Sequence, residues 1–239
     1  MGPFTGKVSR VGPVRQAMIL AAGRGDRLRP LTDFLPKPLV SVGGRPLIVH
    51  HLNGLAAAGI ERVVINIGHL GEQLPARLGH RWSGMVLEYS DERSARLETG
   101  GAIVRAMEYL GEDPFILVNG DVCTDFPWRR LVELPSGDAA LVLVPNPPHH
   151  PRGDFAVEDG LVAPPVQDGH TYTYAGIARF PGAWFRSFPP VPAKLAPWLR
   201  QWIEERRLAA LPYFGRWFDV GTLERLVHAR AVCGAGNAV

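Results

Sequence analysis

Lysine is nearly missing from this chain. Lys7, Lys37 and Lys194 are the only three in 239 residues, and arginine carries the rest of the positive charge. Cysteine is scarcer still. Two cysteines, Cys123 and Cys233, exclude a disulfide framework and a structural zinc site, and Cys123 reads as a small buried filler. No apolar run approaches the roughly 18–20 residues of a membrane span, and no signal-type apolar segment follows the basic start. The expectation is a cytoplasmic protein with no membrane partner. A surplus of positive charge is missing too, despite the formal +3. Residues 1–16 contain Lys7, Arg10 and Arg15 and no acid, so the remainder holds 26 − 3 = 23 basic against 23 acidic residues. A neutral body is a poor general binder of nucleic acid. Residues 1–16, rich in Gly, Pro and Val without period, read as a flexible tail.

What is present centres on residues 17–38. Met18-Ile19-Leu20 is a short apolar run that reads as a buried strand. Ala21, Ala22, Gly23 and Gly25 follow, a loop without bulky side chains that lets an anion approach backbone N–H groups. Arg24, Arg27 and Arg29 come next, and Lys37 stands between Pro36 and Pro38. Together these describe a polyphosphate site. It is neither of two better-known phosphate loops. A dinucleotide fingerprint would need glycine where Leu28 stands, and a P-loop would need Lys-Ser/Thr after its second glycine. A compact lysine ammonium in a proline-flanked loop suits a single phosphate oxygen.

Leu20-Ala21-Ala22-Gly23, Gly25, Arg27, Pro30-Leu31-Thr32 and Pro36-Lys37-Pro38-Leu39 resemble the signature of the sugar-phosphate nucleotidyltransferases, and later motifs extend the resemblance over residues 17–230. It implies that Ala21, Ala22, Gly23, Gly25, Asp26, Arg27 and Lys37 bind the nucleotide, with Arg27, Lys37 and Asp121 catalytic.

Downstream, Pro46 to Ala58 predicts a helix opened by proline, and residues 63–67 a second buried strand. A short helix over 72–78, a strand over 85–89, a helix over 100–110 and strands over 115–119 and 139–144 follow. This alternation predicts an α/β fold, a Rossmann-like, doubly wound, mixed but mostly parallel sheet that binds ligand at its strand carboxyl ends. The prolines at 145, 147, 148 and 151 read as a linker. It divides a single nucleotidyltransferase domain (17–239) into a nucleotide half (17–145) and a smaller sugar-binding lobe (146–239). That lobe is expected to hold strands over 155–157 and 171–180 and helices over 198–208 and 223–232.

Asn119-Gly120-Asp121 ends an apolar strand, placing a hard oxygen ligand at the ligand side. The resemblance makes Asp121 and Asp219, of Trp217-Phe218-Asp219-Val220-Gly221-Thr222, ligands of Mg²⁺, and Asn119 a contact to the sugar. Thr222 would cap the last helix. Glu98-Thr99-Gly100-Gly101 opens a helix with glycines that suggest close approach of a flat group. By resemblance Glu98 and Gly100 face the nucleobase, in a variant like that of the uridylyltransferases for N-acetylmuramate 1-phosphate and some mannose- and heptose-phosphate relatives. Asp154 resembles a sugar-hydroxyl contact, with an ordinary turn aspartate as the competing reading. A Glu-Lys-Pro motif common in the sugar lobe of relatives is absent from 161–169, and Tyr174-Ala175-Gly176 lacks their asparagine. His149-His150, among prolines, reads as solvated linker.

The implied reaction transfers a uridylyl group from UTP to N-acetylmuramate 1-phosphate, as in recycling of cell-wall muramic acid, with release of pyrophosphate. The near alternatives keep the chemistry with GTP and mannose or heptose phosphate, or with CTP. A non-catalytic nucleotide-sugar sensor is the alternative of a different class. The partners are UTP and a sugar 1-phosphate, not nucleic acid, in a monomer or small homo-oligomer.

Overall fold

The computed structural model describes residues 14–94, 97–135, 139–166 and 169–234. The chain opens with β1 (Gln16–Leu20), three 3-10 turns (Asp26–Leu28, Leu31–Asp33, Lys37–Leu39) and the hairpin of β2 (Ser41–Val42) and β3 (Arg45–Pro46). Then come α1 (Leu47–Ala57), β4 (Arg62–Ile67), α2 (Gln73–Leu78), β5 (Arg81–Trp82), β6 (Met85–Asp91), α3 (Glu98–Leu110) and β7 (Phe115–Asn119). After them follow β8 (Val122–Thr124), α4 (Arg129–Val132), β9 (Ala139–Val144), β10 (Ala156–Glu158), β11 (Leu161–Ala163) and β12 (Thr173–Phe180). The chain ends with α5 (Ala196–Glu204), β13 (Leu208–Pro212), β14 (Trp217–Asp219) and α6 (Leu223–Gly234).

Ten strands form one sheet in the order β10-β11-β13-β9-β12-β7-β1-β4-β6-β5. Their pairings set β5, β11 and β12 against the direction of the other seven, so the sheet is mixed and mostly parallel. Alternation along each strand splits the core in two. Ala17 and Ile19 face a cluster with Ile48, Leu52 and Leu55 of α1, whereas Met18 faces one with Ile103, Ala106 and Leu110 of α3. Helices thus cover both faces, as a doubly wound sheet requires.

The described part of the expected tail is partly fold. Val14 is buried, and Gln16 pairs in β1 and donates to the Leu110 carbonyl at 2.7 Å. The expectation for residues 1–13 lies outside the described residues. The two expected halves share the sheet rather than standing apart. β12 runs antiparallel between β7 and β9, so the sugar half is built onto the nucleotide half strand by strand. The helix expected to reach Leu208 stops at Glu204. Arg206 adopts φ 54°, and Arg207 N–H returns to the Trp202 carbonyl at 2.9 Å, a Schellman-type stop without glycine. Leu208 then enters the sheet as the first residue of β13.

Candidate active site

The parallel strands β1, β4, β6 and β7 end together at Leu20, Ile67, Asp91 and Asn119. The chain leaves β1 for β4 on one side and returns to β7 on the other, so the strand order reverses at β1. A crevice opens outside the carboxyl ends of strands at such a switch. Here it is a cleft of about 1010 Å³. The stretch from Leu20 to Arg27 lines it with Lys37, Asn119 and Asp121. Gly25 adopts φ 71° and lies against the Lys37 side chain, a conformation that favours glycine and turns the loop toward the lysine. Asp26 is held in exposed ion pairs with Arg24 at 3.3 Å and Arg29 at 3.8 Å.

Lys37 Nζ lies 2.5 Å from Asp121 Oδ2. The β8–β14 ladder then explains how Asp219 arrives. Asp219 pairs with Val122, and Val220 N–H donates to the Asp121 carbonyl at 2.8 Å. Asp219, 98 positions along the chain from Asp121 (219 − 121), is therefore held by a ladder that begins one residue after Asp121. Asp219 Oδ2 accepts from Arg225 Nη1 at 2.5 Å, and Asp219 Oδ1 lies 3.1 Å from His149 Nε2. Thr222 Oγ1 accepts the Arg225 N–H at 3.3 Å, the cap expected for α6. Among the described residues no group of three or more His, Cys, Asp or Glu side chains is placed to hold a metal.

Sequence reasoning missed several residues. His149 and His150 stand in the linker, and each meets an aspartate: His149 Nε2 lies 3.1 Å from Asp219 Oδ1, and His150 Nε2 3.0 Å from Asp154 Oδ1. Asn66 Oδ1 accepts the Ala21 N–H at 2.6 Å while its Nδ2 donates to Glu92 at 3.0 Å, fixing the first loop to the cleft wall. Burial raises the Glu92 carboxyl above its ordinary range, against the Asn66 hydrogen bond and Arg105. His51 lies beneath the Asn119–Asp121 turn, lowered to about 4 mainly by burial and secondarily by His50. His69 lines the cleft and contacts the Thr32 carbonyl at 2.8 Å. The mixture of polar side chains with apolar strand ends was the available signal, but it fixed no geometry.

Two assigned residues lie off this lining. Gly100 does not line the cleft, although Glu98 and Thr99 do. The group that approaches it closely is the protein's own backbone. A Cβ on Gly100 would stand 2.8 Å from the Ala193 carbonyl oxygen and the Trp198 ring, and one on Gly101 2.2 Å from the Val191 oxygen. Both N–H groups donate to that Ala193 carbonyl. Asp154 also lies off the cleft. Its Oδ2 accepts the Tyr174 N–H at 2.8 Å and its Oδ1 faces His150, so the turn-aspartate reading describes it.

A cleft at a switch point, with a small-residue loop and clustered cations beside Asp121, and with Gly221 rather than Asp219 on its lining, defines a phosphate-handling α/β protein of nucleotide-binding type. Residues 16–157 match the family described as nucleotidyl transferase, and the chain belongs to that family. It is 43% identical over 228 residues to N-acetylmuramate alpha-1-phosphate uridylyltransferase of Neisseria meningitidis serogroup B, covering 92% of this chain and 99% of that one. The protein of the same description from Caulobacter vibrioides is 32% identical over 90% of this chain and 95% of its own. Mannose-1-phosphate guanyltransferase of Candida albicans is 30% identical over 86% of this chain but 61% of its own. Among solved structures, a putative glucose-1-phosphate thymidylyltransferase from Bacillus anthracis superposes with a TM-score of 0.81 at 21% identity, covering 94% and 97% of the two chains. At that identity the match speaks for the fold.

Proposed function

We propose that this protein transfers the uridylyl group of UTP to N-acetylmuramate 1-phosphate, giving UDP-N-acetylmuramate and pyrophosphate. The observation that carries this reading is the 43% identity to the Neisseria uridylyltransferase over nearly the whole of both chains. The Candida guanyltransferase is less similar, and this chain spans 61% of it.

In the reaction a phosphate oxygen of the sugar phosphate attacks the α-phosphorus of UTP in line, and the bond to pyrophosphate breaks. No covalent protein intermediate is required. The loop from Ala21 to Arg27 supplies N–H groups to the triphosphate, and Arg27 and Lys37 draw charge from the α-phosphate and the leaving group. Asn119, on the cleft lining, is the residue we assign to the sugar. Asp121 and Asp219 fit Mg²⁺ in donor chemistry: two hard carboxylates, one in the turn before β8 and one on β14 beside it, part-exposed at 31% and 29%. Mg²⁺ commonly takes one or two carboxylates together with water and substrate phosphate. Lys37 and Arg225 balance these carboxylates within the protein, and His149 lies against Asp219 Oδ1. When bound, the ion would add positive charge at the reacting phosphates.

A panel of UTP, GTP and CTP against N-acetylmuramate, mannose and heptose phosphates, read as pyrophosphate release, tests the reading. UTP with N-acetylmuramate 1-phosphate is expected to give the highest kcat/KM. A preference for GTP with mannose 1-phosphate would reassign the substrates, and UTP binding without turnover of any acceptor would favour a sensor.

A further inference from the structure

The chain's only two cysteines, 110 positions apart, meet Sγ to Sγ at 3.4 Å. Cys123 is buried on β8, two positions after Asp121 and paired with Phe218, the neighbour of Asp219. Cys233 is half-buried in the last turn of α6, the helix whose first turn carries Arg225. Both thiols are free.

Their surroundings tie them to the phosphate site. They pack with Leu28, Val40, Val220 and Leu226 in one small apolar cluster. Leu28 adjoins Arg27, Val40 follows Lys37 by three positions, Val220 adjoins Asp219 and Leu226 adjoins Arg225. The cluster is thus the common footing of the cations and carboxylates that face the reacting phosphates. The C-terminal turn of α6 is seated on the β2–β3 hairpin, where Arg230 Nε donates to the Ser41 carbonyl at 2.9 Å. The Cys233 carbonyl oxygen approaches to 3.0 Å from where a Cβ on Gly43 would stand.

We propose that Cys123 and Cys233 are a reversible disulfide site whose oxidation repositions the carboxylates of the phosphate site. A disulfide holds its sulfurs at about 2.05 Å, so closing the pair from 3.4 Å needs a movement of roughly 1.4 Å. If α6 moves, it carries Arg225 and through it Asp219. If β8 moves, it carries Asp121. Either path reaches a carboxylate, and a displacement of about 1 Å near reacting groups is enough to slow chemistry by up to about 100-fold.

The oxidant is a low-molecular-weight disulfide. The more exposed Cys233 attacks it, forming a mixed disulfide and releasing one thiol. Cys123 then attacks the Cys233 sulfur, forming the protein disulfide and releasing the second thiol. Two protein thiols are oxidised, one external disulfide is reduced to two thiols, and their protons leave with them.

The kinetic arm of the test rests on the transferase reading, whereas the thiol and thermal arms do not. Full-length protein is incubated with oxidised glutathione and then with dithiothreitol, and compared with Cys233→Ser and Cys123→Ala. The expected result is loss of both free thiols, a Cys123–Cys233 peptide cross-link by mass spectrometry, and a Tm rise of roughly 5–10 °C. A fall in kcat of at least about threefold should accompany it, all reversed by reductant and absent from both variants. Failure to form the cross-link, or a cross-link that leaves kcat and Tm unchanged, overturns the proposal. So does an equal loss of activity in Cys233→Ser, which would place the oxidant's target elsewhere.

Discussion

Lys37 Nζ and Asp121 Oδ2 stand 2.5 Å apart, joining the first loop of the chain to the turn after β7. The lysine side chain is 13% exposed, so the pair is substantially shielded and matters more than a surface ion pair. Lys37→Ala removes a charge-assisted contact worth about 1.5–3 kcal/mol. If Lys37 acts on the leaving pyrophosphate, that becomes a fall in kcat of roughly 10- to 150-fold. Lys37→Arg should rescue only partly, because the guanidinium fork does not match a point-charge position flanked by prolines. Steady-state kinetics decides the matter. A rise in KM for UTP at constant kcat would make the contact a ground-state one, and unchanged kcat/KM in Lys37→Ala would remove it from the mechanism.

Asp219 has two partners of unequal shelter: Arg225 is 18% exposed and His149 40%. Arg225 should therefore be the principal positioning group. Arg225→Gln is expected to lower kcat about tenfold, with Arg225→Lys recovering part of it and KM for UTP nearly constant. His149→Gln should change kcat less than about threefold, as expected of a more solvated contact. The order of the two effects is the check. A larger loss for His149→Gln would make the second-half loop, not α6, the support of Asp219.

Much of this site was legible because parallel strands buried on both faces read as plain apolar runs, as Val63 to Ile65 and Phe115 to Val118 do. The small-residue loop, Lys37 and Asp121 then fall at strand ends by chain order alone. Pairings of short segments across long separations were not legible. β8 and β14 have three residues each and no periodicity to read, yet their ladder is what brings Asp219 beside Asp121. β13 was hidden because α5 stops through a left-handed Arg206, where a glycine would have signalled the end. The histidines stand in a part-exposed loop as read, but their contacts with Asp219 and Asp154 were not legible, because tertiary packing sets those partners.

Gly100 and Gly101 were read correctly as sites of close approach, but the approaching group is the segment at Val191 and Ala193. Gly101→Ala tests this directly. Its methyl group would meet the Val191 carbonyl oxygen at 2.2 Å, a backbone atom that cannot rotate away. Overpacking of this kind costs about 1–3 kcal/mol. The expected Tm loss is roughly 2–12 °C for a chain of this size. KM for UTP should hold within about twofold, since Gly101 is buried away from the cleft. A large rise in that KM with an unchanged Tm would restore the nucleobase contact.

Glu92 gives the molecule a predictable pH dependence. The residue is 8% exposed, and burial raises its carboxyl above the ordinary value of 4.5, with the Asn66 hydrogen bond opposing the shift only in part. The folded state therefore holds this proton to higher pH than the unfolded state does. Stability from this group is fully present below pH 4.5 and is lost as pH rises through the folded value. Glu92→Gln keeps an acceptor for Asn66 Nδ2 and abolishes the titration. Thermal unfolding of the ligand-free protein should show Glu92→Gln more stable than the parent at pH 8. The gap should shrink as pH is lowered and level off below 4.5, where the parent carboxyl is protonated in both states. A gap that does not change with pH would assign the difference to packing, and a parent more stable at pH 8 than the variant would show that the ionised carboxylate is held by partners strong enough to outweigh its burial.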